Sequence, residues 1–379
     1  MPSSFALPLR LAAFYFAYFA FSAAMLAYFP LYLARRGLDP GEIALVVALP
    51  QFARVFAPSA WGWLADRSGA QRGIVAFSCA VMAACFAAIP FVSGGLAIAV
   101  LIALMSVLSA GALPLVETIA FAALAGNPGR YGPIRLWGSV GFILVVLAGG
   151  VWLDFRPVDA LPWGLAALAL ASFVVALALP RAEPPSRAIA GAPMLRSPAV
   201  RALLAAGFCM AAAHGILYAF LTLHLKNAGY SGTEIGLLWS LGVLAEIAVF
   251  LYLPALFRRY PLGAILLFSL GCAVARFLAI AWLAGALWVL VLAQLLHAAT
   301  FGSFHAAAVA AVSRVFPASA RGLGQTLFSS LSYGAGGAAG ALAGGWGWQV
   351  GGPTMAFSLA AAAALAGAVF AYPLRRFGL

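Results

Sequence analysis

Acidic residues are nearly missing from this chain: Asp and Glu together number nine among 379 residues, and charged residues of both signs make up only 8%. Soluble domains carry roughly 25%, so an ordinary water-facing surface cannot be built from this composition. Cysteine is scarce too. Cys79, Cys85, Cys209 and Cys272 are scattered through apolar runs without metal-type spacing, and read as small buried hydrophobes. No His-Glu-x-x-His, no Gly-x-Ser-x-Gly and no metal-ligand cluster occurs, and Ser303 cannot face His305 from two positions away on a helix. These absences argue against an enzyme, a cofactor and a metal. Polar segments are short throughout, which leaves no soluble appendage for a sensor or partner-binding protein.

What fills the chain instead is apolar: 65% of its residues are hydrophobic. A membrane-crossing helix needs about 20 mainly apolar residues. Twelve such stretches are expected, at 9–34, 42–65, 73–93, 95–125, 134–153, 161–180, 199–225, 233–256, 261–283, 286–313, 321–346 and 353–373. The expected fold class is an all-α membrane protein, and the first apolar run is read as span one rather than a cleavable leader. Net charge of +12 invites a nucleic-acid reading, but the positions of the basic residues oppose it. Fourteen of the 21 lie at the termini or in even-numbered loops, whereas only Arg35, Arg36, Arg156 and Lys226 fall on the other side. By the positive-inside rule both termini are cytoplasmic, as an even number of spans requires.

The least hydrophobic internal stretch, RAEPPSRAIAGAPMLRSP at 181–198, follows the sixth span and reads as a cytoplasmic linker between halves 1–180 and 199–379. A weak internal repeat supports the division. At an offset of 192, PGEIALVVALPQFARVFAPSAWGWLADR aligns without gaps to SGTEIGLLWSLGVLAEIAVFLYLPALFRR, pairing Glu42 with Glu234 and Arg67 with Arg259. The same offset sets Arg54 of span two opposite Glu246 of span eight. A looser comparison matches Arg135 with Gln325, and Glu117 with the neighbourhood of His305. Charges at membrane depth cost about 2.5 to 3.5 kcal/mol on insertion scales and usually line an enclosed path. Arg54, Glu117, Arg135, Glu246 and Arg276, with His297 and His305, are therefore the candidate site. In LLHAATFGSFHAAA, steps of three and four set His297, Thr300, Phe301, Phe304 and His305 on one helical stripe.

Residues 62–72, GWLADRSGAQR, resemble the loop motif between spans two and three of the major facilitator superfamily. Gly62, Asp66, Arg67, Gly69 and Arg72 match its pattern, which implies two pseudo-symmetric six-helix bundles around a central cavity and a cytoplasmic latch in the outward-facing state. Gly62 is expected to permit close helix packing. The counterpart at Phe257-Arg258-Arg259 lacks the acidic and glycine positions. Glu117 and Arg135, with Gly138 and Phe142 following, are spaced as in the lactose permease branch, where the pair binds substrate. Glu246, Arg276 and His297 resemble that branch's residues on spans eight, nine and ten, but Thr300 stands where it has a protonatable glutamate. LLHAATFGSFHAAA and YGPIRLWGSVGF resemble more closely the neighbouring phenylpropionate permease group, and more distantly the nucleoside symporters.

A cavity with three arginines against two glutamates favours an organic anion. Phe301, Phe304 and Trp137 offer surface for a small ring. The expectation is proton-coupled symport of a small aromatic carboxylate across a bacterial inner membrane, by a chain acting as a monomer in the lipid bilayer. Arg135 or Arg276 would bind the carboxylate, with Gln325 near Arg135's counterpart position, and Glu246 with His297 or His305 would carry the proton. Symport of a nucleoside or sugar, and drug export, are the competing readings.

Overall fold

In the computed structural model, residues 6–124, 128–180 and 197–376 are described, and every regular element among them is helical. Residues 181–196 of the expected linker lie outside the described residues. Ten membrane-length helical stretches run at Leu7–Arg35, Pro40–Ser68, Gln71–Phe91, Gly95–Ala123, Tyr131–Phe155, Val158–Ala176, Pro198–Asn227, Gly232–Arg259, Leu262–Leu283 and Leu287–Val315. They are spans one to ten. The eleventh stretch, Arg321–Arg375, has 55 residues, more than twice the length a crossing needs. It is broken by non-helical backbone at Gly351 and Gly352, the latter at φ 66°, with Pro353 next. That break divides it into spans eleven and twelve.

The internal repeat has a local physical meaning at the starts of spans two and eight. Asp39 Oδ1 accepts from the Gly41 and Glu42 amides at 2.7 and 2.9 Å, while Glu42 Oε2 accepts from the Asp39 amide at 2.9 Å. At the paired position Ser231 Oγ accepts from the Glu234 amide at 3.1 Å, and Glu234 Oε2 accepts from the Ser231 amide at 2.8 Å. Both are capping boxes, which satisfy amides that a helix start otherwise leaves open. Each start is also held by the end of another span. Asp154 of span five accepts from the amides of Gly232 and Thr233 and from the Thr233 hydroxyl at 2.5, 2.8 and 2.6 Å. Gln349 of span eleven donates to Asp39 at 3.0 Å.

The described residues fall into two compact units, one within 1–38, 56–180 and 231–237, the other within 39–55, 197–230 and 238–376. In the first, spans one, three, four and six bury Leu11, Phe14, Tyr15, Val75, Cys79, Val116, Ile119 and Ala176 in one cluster. In the second, spans seven and eleven approach so closely that a Cβ on Gly340 would lie 1.9 Å from the Ala212 carbonyl oxygen. In lipid, where neighbouring chains are as apolar as Leu, such small-residue contacts carry much of helix association.

Four spans leave α geometry near their middles. Span two stops at Ala53 and restarts at Ala57. Pro58 lacks the amide proton that would bond the Arg54 carbonyl. Span four stops at Ser109 and restarts at Ala112, with Pro114 doing the same to Ala110. Spans ten and eleven contain π-helical segments at Ala298–Ser303 and Ser330–Gly336. In transporters, discontinuous spans mark binding sites, and π segments recur at functional positions.

Gly340→Ala is expected to destabilise the detergent-solubilised protein by about 1 to 3 kcal/mol through forced helix separation. Gly271→Ala, where a Cβ meets nothing within 4 Å, is the control and should not lower the thermal midpoint. Equal midpoints for the two variants would contradict the close approach.

Candidate functional site

The second unit gathers its polar side chains around Arg276. This residue of span nine is 1% exposed. Its Nη1 donates to Thr300 Oγ1 at 2.9 Å and to His297 Nδ1 at 3.0 Å, and lies 3.5 Å from His214 Nε2. Nη2 donates to Gln294 Oε1 at 3.0 Å, and Nε has no hydrogen-bond partner. All four acceptors are neutral groups. A guanidinium cannot shed its proton, so burial without such acceptors would be prohibitive.

Hydrogen-bond logic assigns the imidazole protons. His214 Nδ1 lies 3.0 Å from the Met210 carbonyl, which only accepts, so Nδ1 carries the proton and Nε2 presents its lone pair to Arg276. His297 Nδ1 accepts from Arg276, which puts its proton on Nε2. That nitrogen lies 3.8 Å from Glu246 Oε2 on span eight. Charge thus alternates from guanidinium through a neutral ring to carboxylate.

The π segment of span ten also arranges rings. His297 stacks on Phe301 with centroids 5.2 Å apart and planes 12° apart, and Phe301 stacks on His305 at 6.0 Å and 9°. His305 Nδ1 is hydrogen-bonded to the Tyr333 hydroxyl of span eleven at 2.6 Å. Of the expected stripe, His297, Phe301 and His305 form this ladder, Thr300 turns to Arg276, and Phe304 is buried at 3% exposure. Arg54 caps the broken first part of span two. Both Arg54 and Glu246 lie within electrostatic reach of Tyr218 and Tyr333.

A separate cluster stands in the first unit. The Arg135 guanidinium lies 4.0 Å from the Phe19 ring centroid and 5.3 Å from that of Tyr15. Glu117 interacts electrostatically with Arg135 and Tyr131, so spans four and five bring the expected pair into one group. A Cβ on Gly138 would sit 3.0 Å from Arg135 Nη1 and from Phe19, so glycine there admits the stacked guanidinium. Phe121 stacks on Tyr131 at 4.5 Å.

The remaining expected residues stand apart from these contacts. Trp137 is 51% exposed, and Gln325 donates to the Val309 carbonyl at 2.9 Å. In the loop motif, Gly69 ends the helix Ala57–Ser68 at φ 65°, a left-handed position suited to glycine, and the Arg67 guanidinium lies 5.6 Å from the Trp63 ring centroid. Asp66 and Arg72 are half-buried. A Cβ on Gly62 would meet nothing within 4 Å, so the close packing expected there is not made. His214, Gln294, Tyr131 and Tyr333 were not among the expected residues. His214 and Gln294 carry the same signal as His297, a polar side chain inside an apolar run.

The chain belongs to the MFS_1 like family, whose match covers residues 8–359. It is 29% identical over 309 residues to a probable 3-phenylpropionic acid transporter of Escherichia coli (strain K12), covering 79% of this chain and 80% of the relative. It is 26% identical over 365 residues to a maltose permease of Geobacillus stearothermophilus, covering 91% and 90%. A crystal structure of a point mutant of the nucleoside transporter NupG superposes with a TM-score of 0.86 at 20% identity, covering 97% of this chain and 99% of that one. The fold is that of major facilitator transporters, and the protein is a multi-pass membrane transporter of this kind.

Arg276→Lys tests the buried cluster. A lysine ammonium cannot span acceptors on two edges of a planar fork, so at least one buried acceptor loses its donor, at about 1 to 3 kcal/mol. Thermal unfolding in detergent should show that loss; an unchanged midpoint would mean that the four acceptors do not depend on the guanidinium.

Proposed function

We propose that this transporter takes up a small aromatic carboxylate together with protons. The observation that carries the proposal is the buried Arg276, held entirely by neutral acceptors, beside the stacked rings of His297, Phe301 and His305. Excess positive charge suits an organic anion, and flat ring faces suit an aromatic body. The relative described as a probable 3-phenylpropionic acid transporter supports the same substrate class. Arg135, stacked and oriented beside Glu117, is the leading carboxylate ligand because its guanidinium is less enclosed than that of Arg276.

Glu246 and His297 together form the proton-binding pair. Thr300 is bonded to Arg276 and offers no carboxylate, so the acidic member comes from span eight. Arg54 and Glu246 form the opposite charges of two pseudo-equivalent spans, and the loop motif from Gly62 to Arg72 acts as the cytoplasmic latch. The bundles are 1–180 and 199–379, and the chain works as a monomer in the bacterial cytoplasmic membrane with both termini inside. A sugar or nucleoside reading draws on the maltose permease and NupG likenesses.

Two measurements in proteoliposomes decide these points. With an inward proton gradient, radiolabelled 3-phenylpropionate should accumulate, and excess maltose or uridine should not compete; accumulation of either of these instead of the acid overturns the substrate assignment. Glu246→Gln should keep substrate counterflow but lose accumulation, whereas Arg135→Ala should raise the apparent KM by about tenfold or more. Uphill uptake that survives Glu246→Gln with its pH dependence intact would remove Glu246 from the proton step.

A further inference from the structure

At Nη1 of Arg276 the acceptors outnumber the hydrogens, although the guanidinium as a whole carries five N–H groups for four acceptors. Nη1 carries two hydrogens but faces three lone pairs: Thr300 Oγ1 at 2.9 Å, His297 Nδ1 at 3.0 Å and His214 Nε2 at 3.5 Å. The three contacts share those two hydrogens. His214 is the most loosely held acceptor, about 0.5 Å farther away than the other two.

Its readiness does not depend on Arg276. The Met210 carbonyl, one turn earlier on span seven, holds the His214 proton on Nδ1 and leaves the Nε2 lone pair facing the cluster. Phe277, Tyr218 and Phe301 fix the ring from three sides, with centroids 5.6, 5.9 and 5.9 Å away.

His297 is constrained in the opposite way. Its Nε2 already carries a proton toward Glu246, so a second proton can enter only at Nδ1, the atom that Arg276 occupies. A proton arriving there from water would displace the Nη1 hydrogen and set two cations side by side. The guanidinium must then have another lone pair to turn to. We propose that His214 is a positioning residue that supplies it: Arg276 transfers one Nη1 hydrogen bond from His297 to His214, and the freed Nδ1 of His297 takes up the transported proton. The product is an imidazolium paired with the Glu246 carboxylate, and the Arg276 charge rests on three neutral acceptors, Thr300, His214 and Gln294. No covalent bond to Arg276 breaks; the proton comes from water and leaves by the same atom.

Of the other titratable or charged groups nearby, Tyr218 on span seven lies against His214, His305 on span ten stacks on Phe301 and meets Tyr333 of span eleven, and Arg54 on span two lies within electrostatic reach of both tyrosines. The exchange involves His214, His297 and Thr300, the three acceptors that face Arg276 Nη1. The proposal rests on the proton-coupled reading of this site, and its test is independent of transport.

The experiment is a pH titration of the protein in nanodiscs with 15N-labelled histidine, the four ring signals assigned by single His→Gln variants. In the wild-type protein His297 should start as the Nε2–H tautomer and become an imidazolium on acidification, while His214 keeps its Nδ1–H tautomer throughout. His214→Phe preserves a ring but removes the acceptor, and should lower the proton affinity of His297 by about tenfold or more, one pH unit. His214→Gln retains an acceptor oxygen and should restore it to within about threefold of wild type. Equal titration of His297 in the His214→Phe and wild-type proteins would overturn the proposal, as would a wild-type His297 that never protonates. If His297 titrates as expected but no uphill accumulation is measured in proteoliposomes, the proton-coupled reading fails and the exchange of acceptors stands.

Discussion

A guanidinium sealed from water organises the second half of this transporter. Arg276 is 1% exposed and cannot neutralise itself, so the surrounding spans must offer it lone pairs. They do so from three directions: His214 on span seven, Gln294, His297 and Thr300 on span ten, with Glu246 of span eight reached through His297. Much of the cluster follows from that demand. The tautomer of His297, the inward turn of Thr300 and the burial of Gln294 all follow from serving one cation. A carboxylate in place of Thr300 would pair with the arginine directly and remove the need for a neutral set.

Arg276, His214, Glu246 and Arg135 stand on continuous helices, whereas His297 and Glu117 stand on spans that are interrupted. Non-helical backbone inside a bilayer is tolerated only where it is enclosed or wet. Spans two and four break after Ala53 and Ser109, each with a proline supplied in the next turn, whereas spans ten and eleven widen into π segments without proline. The first device exposes carbonyls near Arg54 and Ala110. The second shifts helical phase by part of a turn, which sorts neighbouring side chains of span ten between the ring ladder, the guanidinium and the packed interior. Elsewhere the spans are held by small residues and paired capping boxes, which leave few polar groups in the lipid.

Much of this was legible in the residues themselves. Scarcity of charge and long apolar runs required a helical membrane protein, and the expected span limits fall within a few residues of the observed ones. Gly351 and Gly352 before Pro353 separate the last two spans although a single helical stretch covers both. Glu42 and Glu234, paired by the repeat, proved to be the same capping device used twice. Less legible was the company each polar residue keeps. His214 lies 62 positions from Arg276, so nothing local in the sequence links them, while Gly62, whose motif suggests tight packing, has open space where a Cβ would be. A period-of-3.6 stripe grouped Phe304 with His297, but the π segment broke that period between them.

The sequence by itself determined that this chain lives in a bilayer, how many times it crosses, and that a few charges must be enclosed. Those properties are set by solvation and by short-range periodicity, which each segment carries alone. Tertiary structure decided which of those charges meet, which imidazole nitrogen holds the proton, and which acceptor is held most loosely. Such outcomes depend on distances of a few tenths of an ångström between side chains on different spans. No single span encodes them, because each hydrogen bond requires a partner whose position is fixed only when the helices pack.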